Sequence, residues 1–147
     1  MRVVLQRVKE AKVVVDGQVT GSIGHGLLVF FAVHQSDTMA DIPWMVNKVL
    51  NLRLFRDEND KMNLSIKEVL GEVLVVSQFT LYGNCMNGRR PDFIDSAPPT
   101  MAIPIYEAFV SEIKKDLGKV QTGVFGAAME VSLINDGPVT FVIDGKK

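Results

Sequence analysis

Hydrophobic and polar positions change period several times along the chain, and each change marks an element. Val3–Val8 and Lys12–Val15 are rich in β-branched residues and predict strands. Asp16-Gly17 then separates "KVVV" from "QVTGSI", a two-residue hairpin signal. Gly21, Gly24 and Gly26 mark another turn. Leu27–Val33, "LLVFFAV", is short and apolar on both faces, as a central buried strand requires. The period then becomes helical. Ile42, Met45, Val46, Val49 and Leu50 form one stripe, Asp37, Thr38 or Asp41 can cap it, and Pro43 is tolerable only in the first turn.

Leu52–Phe55 predicts a strand, residues 56–63 a polar turn, and Ser65–Val69 a short helical turn ended by Gly71. Glu72–Tyr82 carries the most persistent strand pattern. Period two within it puts Gln78 and Thr80 on one face, Ser77 and Phe79 on the other. Gly83–Pro99 is the longest stretch without periodicity, rich in Gly, Pro, Asn and Arg, and long loops of this kind are often functional. A second apolar stripe, Tyr106, Phe109, Val110, Ile113 and Leu117, predicts a helix that starts near Pro104 and stops at Gly118. Lys119–Gln121, Met129–Ile134 and Val139–Ile143 return to β. The order βββ–α–β–β–α–ββ predicts an α+β fold: largely antiparallel β-sheets forming a partly closed barrel, with two main packed helices. With no repeat or linker in sight, residues 1–147 are expected to form a single domain.

Composition removes several function classes. The formal net charge is −1, which argues against a non-specific duplex binder but allows a local basic pocket for one nucleic-acid end. The histidines are His25 and His34, and no HExxH, CxxC or calcium-loop spacing occurs, so no metal site is expected. GxGxxG, P-loop and G-x-S-x-G patterns are missing too, and no cofactor is expected. The N-terminal stretch lacks the pattern of a signal peptide, and the longest apolar run, Leu27–Val33, is far short of a membrane span. The expectation is a cytoplasmic protein with no membrane or DNA partner. The lone cysteine, Cys85, fits a reducing compartment and otherwise reads as an incidental loop residue.

Polar groups in apolar settings are the candidate chemistry. Ser77, Gln78 and Thr80 end a very apolar strand; a buried glutamine there must find partners, such as a carbonyl or an amine. Thr80 fits a nucleophile, a donor or simply a strand former. His34, just beyond an apolar strand, fits either a satisfied strand-end histidine or a substrate-side group. Arg89 and Arg90 fit solvated loop charges or a phosphate clamp, and nearby Phe93 fits a base-stacking or core-capping ring. Gly137-Pro138 sits against a strand although proline has no N–H to give a sheet. It fits a strand-start proline after a glycine turn, or a cis peptide forming a rigid gate without side chains.

Together, "SQFTLY" (Ser77–Tyr82), "GRRPDF" (Gly88–Phe93), "APP" (Ala97–Pro99), "TGVFGAAMEVSLINDGPVT" (Thr122–Thr140) and the opening "MRVVLQRV" resemble the D-aminoacyl-tRNA deacylase family. The resemblance runs from Met1 to about Ile143, and the SQxxL and NxGPVT pair is its most specific part. It implies a homodimer that hydrolyses the ester between a D-amino acid and the 3′ end of tRNA, and that also clears glycine from alanine tRNA. Gly137 and Pro138, joined by a cis bond, would enter the partner's site and reject L side chains. Ser77 and Gln78 would orient the substrate, Phe79 would offer its backbone N–H, and Thr80 would hydrogen-bond rather than attack. Met129 would pack on the adenine, Arg7 would hold the Gly-Pro segment, and Arg89 and Arg90 are possible RNA phosphate contacts. Asn87 and Pro104 depart from the family's usual pattern. The competing readings are a non-catalytic RNA 3′-end binding module and a threonine-dependent small-ester hydrolase.

Overall fold

The computed structural model describes residues 1–145. Among these, the elements in chain order are β1 (Arg2–Val15), β2 (Gln18–Ile23), β3 (Gly26–Ala32), α1 (Ile42–Asn51), β4 (Phe55–Arg56), β5 (Met62–Leu64), β6 (Glu72–Ser77), α2 (Pro99–Leu117), β7 (Gln121–Thr122) and β8 (Glu130–Asp144). The main sheet runs β2-β1-β3-β6-β7, and β8 pairs with the other edge of β1. The strand β1 organises the rest: its first half pairs with β3, its second half with β2, and nearly its whole length with β8. Most pairs are antiparallel, as expected, but β3–β6 and β6–β7 are parallel. The result is a mixed sheet almost closed into a barrel, with α1 and α2 packed together on its outer side.

Alternating side chains divide the apolar residues between two cores. Leu27, Val29, Phe31, Val73 and Val75 face the helices, together with Val3 and Leu5. Leu28, Leu74 and Val76 point the other way, into the barrel, with Val8, Ala11 and Val13. These runs are apolar throughout because both faces are covered. The Phe31 ring stacks on Phe109 of α2 at 4.2 Å between centroids and 15° between planes, which ties sheet to helix. Burying such a side chain is worth about 1.5–3 kcal/mol.

β1 changes core partway along. Val3 and Leu5 belong to the helix side, while Val8, Ala11 and Val13 belong to the barrel side. Period two alone cannot move residues 5 and 11 to different faces. Irregular pairing with β8 between Val8 and Glu10, where Lys9 is an extra residue of β1, supplies the missing step; the irregularity between Gln6 and Val8 places its extra residues on β8. Separate short strands were the expectation at both ends of the chain; β1 and β8 are instead continuous and carry these irregularities within them.

Other boundaries moved for local reasons. The stretch expected as a strand at 52–55 contributes only Phe55 to one, because Leu52 still accepts the role of C-cap for α1. The polar turn at 56–63 is organised enough to form the β4–β5 hairpin: the Asp57 carboxylate accepts from the N–H groups of Asn59 and Lys61 at 2.8 and 3.0 Å. Those backbone donors hold the Asp57 pKa below its ordinary value. β6 ends at Ser77, not Tyr82, and Phe79–Tyr82 form a 3-10 turn. α2 begins at Pro99, so Pro104 lies inside it. Its ring is on the solvent-exposed side, where water can satisfy the carbonyl of the preceding turn that loses its N–H partner. Asp16-Gly17 makes the expected hairpin with both φ angles positive. Gly26 is no turn residue but a close approach within β3, since a Cβ there would come 1.8 Å from the Glu72 carbonyl oxygen.

Candidate active site

The end of β6 and the turn that follows build one wall of a cavity of about 430 Å³. Ser77, Gln78 and Phe79 line it from that side, Met129 and Val131 from β8 and its approach, and Ala102 and Tyr106 from α2. Most of the lining is apolar, with a few polar groups at one edge, as small-ligand sites usually have. Tyr106 is anchored, its hydroxyl donating to the Val75 carbonyl at 3.3 Å, and burial pushes its pKa up to about 12. The phenol therefore stays neutral near pH 7, a fixed wall rather than an acid or base.

Breaking the strand at Ser77 decides the geometry. Gln78 is in neither strand nor helix conformation (φ −145°, ψ 76°), and the chain then turns through Phe79–Tyr82. Alternation stops there, so the expected assignment of Gln78 and Thr80 to one strand face does not apply. Their side chains meet through the turn instead: the Gln78 amide donates to the Thr80 hydroxyl at 2.5 Å. Thr80 itself is exposed and is not part of the cavity wall. Phe79 is 57 % exposed and rests edge-on against Phe93 of the long loop, 5.1 Å between centroids. Arg2, at the start of β1, donates to the Leu81 carbonyl at 2.9 Å and so ties down the far end of the turn. Its hydrogen bond to Asp144 raises the Arg2 pKa above the ordinary guanidinium value.

Gly137-Pro138 lies elsewhere. The peptide bond between them is cis, and both residues are exposed. Gln6 pairs with Thr140 and Val8 with Asn135, so Asp136, Gly137, Pro138 and Val139 bulge out opposite Arg7 alone. Proline costs no ladder hydrogen bond at such a place. Arg7 is 1 % exposed; its guanidinium donates to the carbonyls of Asp136 at 2.9 Å and of Leu54 at 2.5 Å. Asn135 closes the neck of the bulge, accepting from the Val139 N–H at 2.7 Å and donating to the Val139 carbonyl at 3.1 Å. Neither Gly137 nor Pro138 lines the cavity of its own chain.

The chain is matched over residues 4–144 by the family model of D-Tyr-tRNA(Tyr) deacylase. It belongs to that family. A D-aminoacyl-tRNA deacylase of Thermosipho africanus is 55% identical over 147 residues, covering 100% of this chain and 99% of the relative. One from Protochlamydia amoebophila is 53% identical over 144 residues, covering 98% and 95%. Among solved structures, the c-Myc DNA Unwinding Element Binding Protein superposes with a TM-score of 0.94 at 37% identity, each chain covered completely. A probable eukaryotic D-amino acid tRNA deacylase shares the fold at a TM-score of 0.85 and 18% identity, over 97% of both chains.

Against this deacylase background the candidate residues fall into three groups. Ser77, Gln78, Phe79 and Met129 share one cavity, with Thr80 held just behind Gln78. Gly137, Pro138 and Arg7 form a second unit on the β1–β8 edge. Arg89 and Arg90 are exposed in the long loop and line none of the cavity. His34 is bound to Ser36, Nδ1 to Oγ at 2.8 Å, and faces a separate polar hollow of about 950 Å³ beside Met1, Asp37 and Tyr82. That hollow is larger, but it contains none of the Ser77–Phe79 wall or Met129, so the smaller cavity is the better site for the chemistry. Phe125 and Tyr106 line the cavity and were not singled out from the sequence as site residues; Asn135 stood within the NxGPVT motif without a role of its own. Tyr106 was hidden as one position of a helical stripe.

Proposed function

We propose that this member of the family hydrolyses the ester between a D-amino acid and the 3′-terminal adenosine of tRNA, and that a second copy of the chain supplies the chiral selection. The observation that carries the reading is the separation just described. The cavity that gathers Ser77, Gln78, Phe79 and Met129 lacks Gly137 and Pro138, which instead project from an exposed bulge. In a homodimer each bulge can enter the other protomer's cavity. β8 leaves apolar side chains exposed on both faces, Phe141 and Val142 on opposite ones, at 41% and 62% accessible, and these are available for that pairing.

The chemistry follows from position. Met129 and the apolar walls take the adenine, and Ser77 and Gln78 orient the aminoacyl ester. Phe79 is first in its 3-10 turn, so its N–H has no acceptor inside the turn; on this reading it donates to the oxygen that gains charge. Water attacks the carbonyl carbon, the ester C–O bond breaks, and the ribose oxygen leaves with a proton. The neighbouring ribose 2′-hydroxyl assists; well-oriented groups of this kind lower barriers by up to roughly 7–11 kcal/mol. Thr80 orients Gln78 rather than attacking, a reading supported by its place outside the cavity wall and its bond to Gln78. Main-chain atoms of the partner's Gly137-Pro138 collide with an L side chain and leave room for a D side chain. Glycine has no side chain to reject, so glycyl-tRNA(Ala) is a substrate as well. Arg89 and Arg90 meet the phosphates of the acceptor end. A net charge of −1 suits the grip of one nucleic-acid end rather than a duplex, so DNA is not proposed as a partner; the setting is the cytoplasm, where tRNA is charged.

Incubation with D-tyrosyl-tRNA and L-tyrosyl-tRNA tests the reading. Loss of the D-ester alone is expected. Stable binding with no turnover would favour a non-catalytic RNA-end module, and equal cleavage of both esters would remove the filter. Thr80→Ala should keep a substantial part of the activity, whereas a 2′-deoxy terminal adenosine should lose most of it; the reverse pattern would favour a threonine esterase.

A further inference from the structure

Asp136, immediately before Gly137, contacts Arg7, His25 and Arg56. Its carbonyl accepts from Arg7 Nε at 2.9 Å, and its carboxylate Oδ2 lies 3.4 Å from the same nitrogen. Oδ2 also stands 4.0 Å from His25 Nε2, and Oδ1 stands 3.9 Å from Arg56 Nη1. Three separate parts of the chain therefore converge on one carboxylate: β1 through Arg7, the turn before β3 through His25, and β4 through Arg56. His25 is itself held edge-on against Phe55, 5.1 Å between centroids, and Arg56 is shared with Asp60 at 3.2 Å.

This arrangement fixes direction as well as position. The Asn135 side chain ties the two stems of the bulge to each other. The Asp136 contacts tie it to the body of the protein. Arg7 sharpens the effect: its side chain is 2 % exposed, and a buried guanidinium without a counter-charge is strongly unfavourable. Asp136 is the acidic side chain that pairs with it among the described residues. Where the carboxylate goes, the adjoining Gly137-Pro138 pair follows.

We propose that Asp136 is a positioning residue for chiral selection, setting the angle at which Gly137-Pro138 projects, with Arg56 and His25 as its outer supports. This deepens the functional reading above and rests on it. Asp136 touches no substrate; it acts through the backbone that follows it.

The test compares kcat/KM for D-tyrosyl-tRNA and L-tyrosyl-tRNA in the wild-type protein, Asp136→Asn, Asp136→Glu and Arg56→Gln. The D/L ratio is expected to fall on the order of tenfold or more in Asp136→Asn, chiefly through faster cleavage of the L-ester. Asp136→Glu should restore part of the ratio, and Arg56→Gln should lower it by a smaller factor. A merely structural role would reduce both esters alike and leave the ratio unchanged, and that result would overturn the inference. Arg56 is half-exposed, so its variant keeps the test decisive if Asp136→Asn folds poorly. A crystal structure of Asp136→Asn provides a readout independent of substrate. Displacement of Gly137-Pro138 relative to β1 supports the positioning role, and an unmoved pair overturns it. A wild-type protein that cleaves both esters equally would count against the cross-subunit filter, while that displacement would still decide the role of Asp136.

Discussion

The Ser77–Tyr82 turn and the Asp136–Val139 bulge are both departures from the sheet, and both hang from β1 by an arginine. Arg2 holds the carbonyl of Leu81, and Arg7 holds that of Asp136. The two arginines are an odd number of residues apart, so period two sends them to opposite faces. Arg2 is partly exposed and pairs with Asp144 in solvent; Arg7 is buried beneath the bulge. Their energetic weights should differ accordingly, since exposed pairs contribute about 0–1 kcal/mol while removing one partner of a buried pair costs about 3–5 kcal/mol. The turn also completes a cavity within its own chain, whereas the bulge completes none. One region completes a cavity in its own chain; the other, on the proposed reading, acts on a second copy.

The sharpest way to break this comparison is Arg7→Ala. It leaves the Asp136 and Leu54 carbonyls without their buried donor and the Asp136 carboxylate without its nearest cation, and the loss should be about 3–5 kcal/mol in urea unfolding. A loss near zero would show that the brace is ornamental. Next comes Gly137→Ala. A Cβ there would lie 2.6 Å from both the Cγ2 and the backbone N of Val139, so the bulge must shift. Misplacement of about 1 Å near the reacting atoms can cost on the order of a hundredfold, so kcat/KM for the D-ester should fall steeply, while the self-contained turn leaves RNA binding in a gel-shift assay largely intact.

A milder perturbation is Gly123→Ala, whose Cβ would meet the Met129 sulfur at 2.5 Å. A thioether can swing aside, so the expected effect is a several-fold rise in KM, worth about 1 kcal/mol, with kcat nearly unchanged. Arg2→Gln should cost less than about 1 kcal/mol in stability, because its ion-pair partner Asp144 is exposed. Parity with Arg7→Ala would erase the distinction drawn above. The smallest effect at neutral pH is Tyr106→Phe, which loses one hydrogen bond of about 0.5–1.5 kcal/mol. Its signature is alkaline. The folded pKa of Tyr106 is raised to about 12 from 10, so the unfolded chain releases its proton first and stability falls as pH rises from about 10 to 12. The variant should show a shallower decline over that window in thermal melts; Tyr82, whose phenol is also pushed up by burial, supplies part of the remaining slope.

Much of this molecule was legible before its folding was seen. α1 was expected from its stripe and its early proline, and its five stripe residues are the buried ones. The Asp16-Gly17 hairpin and the Gly118 stop needed only local backbone rules. The failures cluster where two segments distant in sequence meet. Glu72–Tyr82 carried a strand pattern throughout, but only Glu72–Ser77 has neighbours in β3 and β7 to pair with. Beyond Ser77 the Gln78 N–H still finds Phe31, and the chain then turns. The site residues were likewise readable as residue types. Thr80 was recognised as polar in an apolar run, yet its exclusion from the cavity wall follows from the turn and not from the alternation.

By itself the sequence determined which residues are apolar, how they alternate, and where turns must fall, because these depend on contacts within a few positions along the chain. It also carried the Gly137-Pro138 pair, whose missing N–H rules out an ordinary ladder position. Only the tertiary structure decided that β1 would serve three strands, change cores midway, and set Arg7 opposite four residues of β8. The β1–β8 part of this depends on register between segments more than a hundred residues apart. Pairing across such distances is settled by the joint packing of both faces of the sheet, which no local window of the chain records.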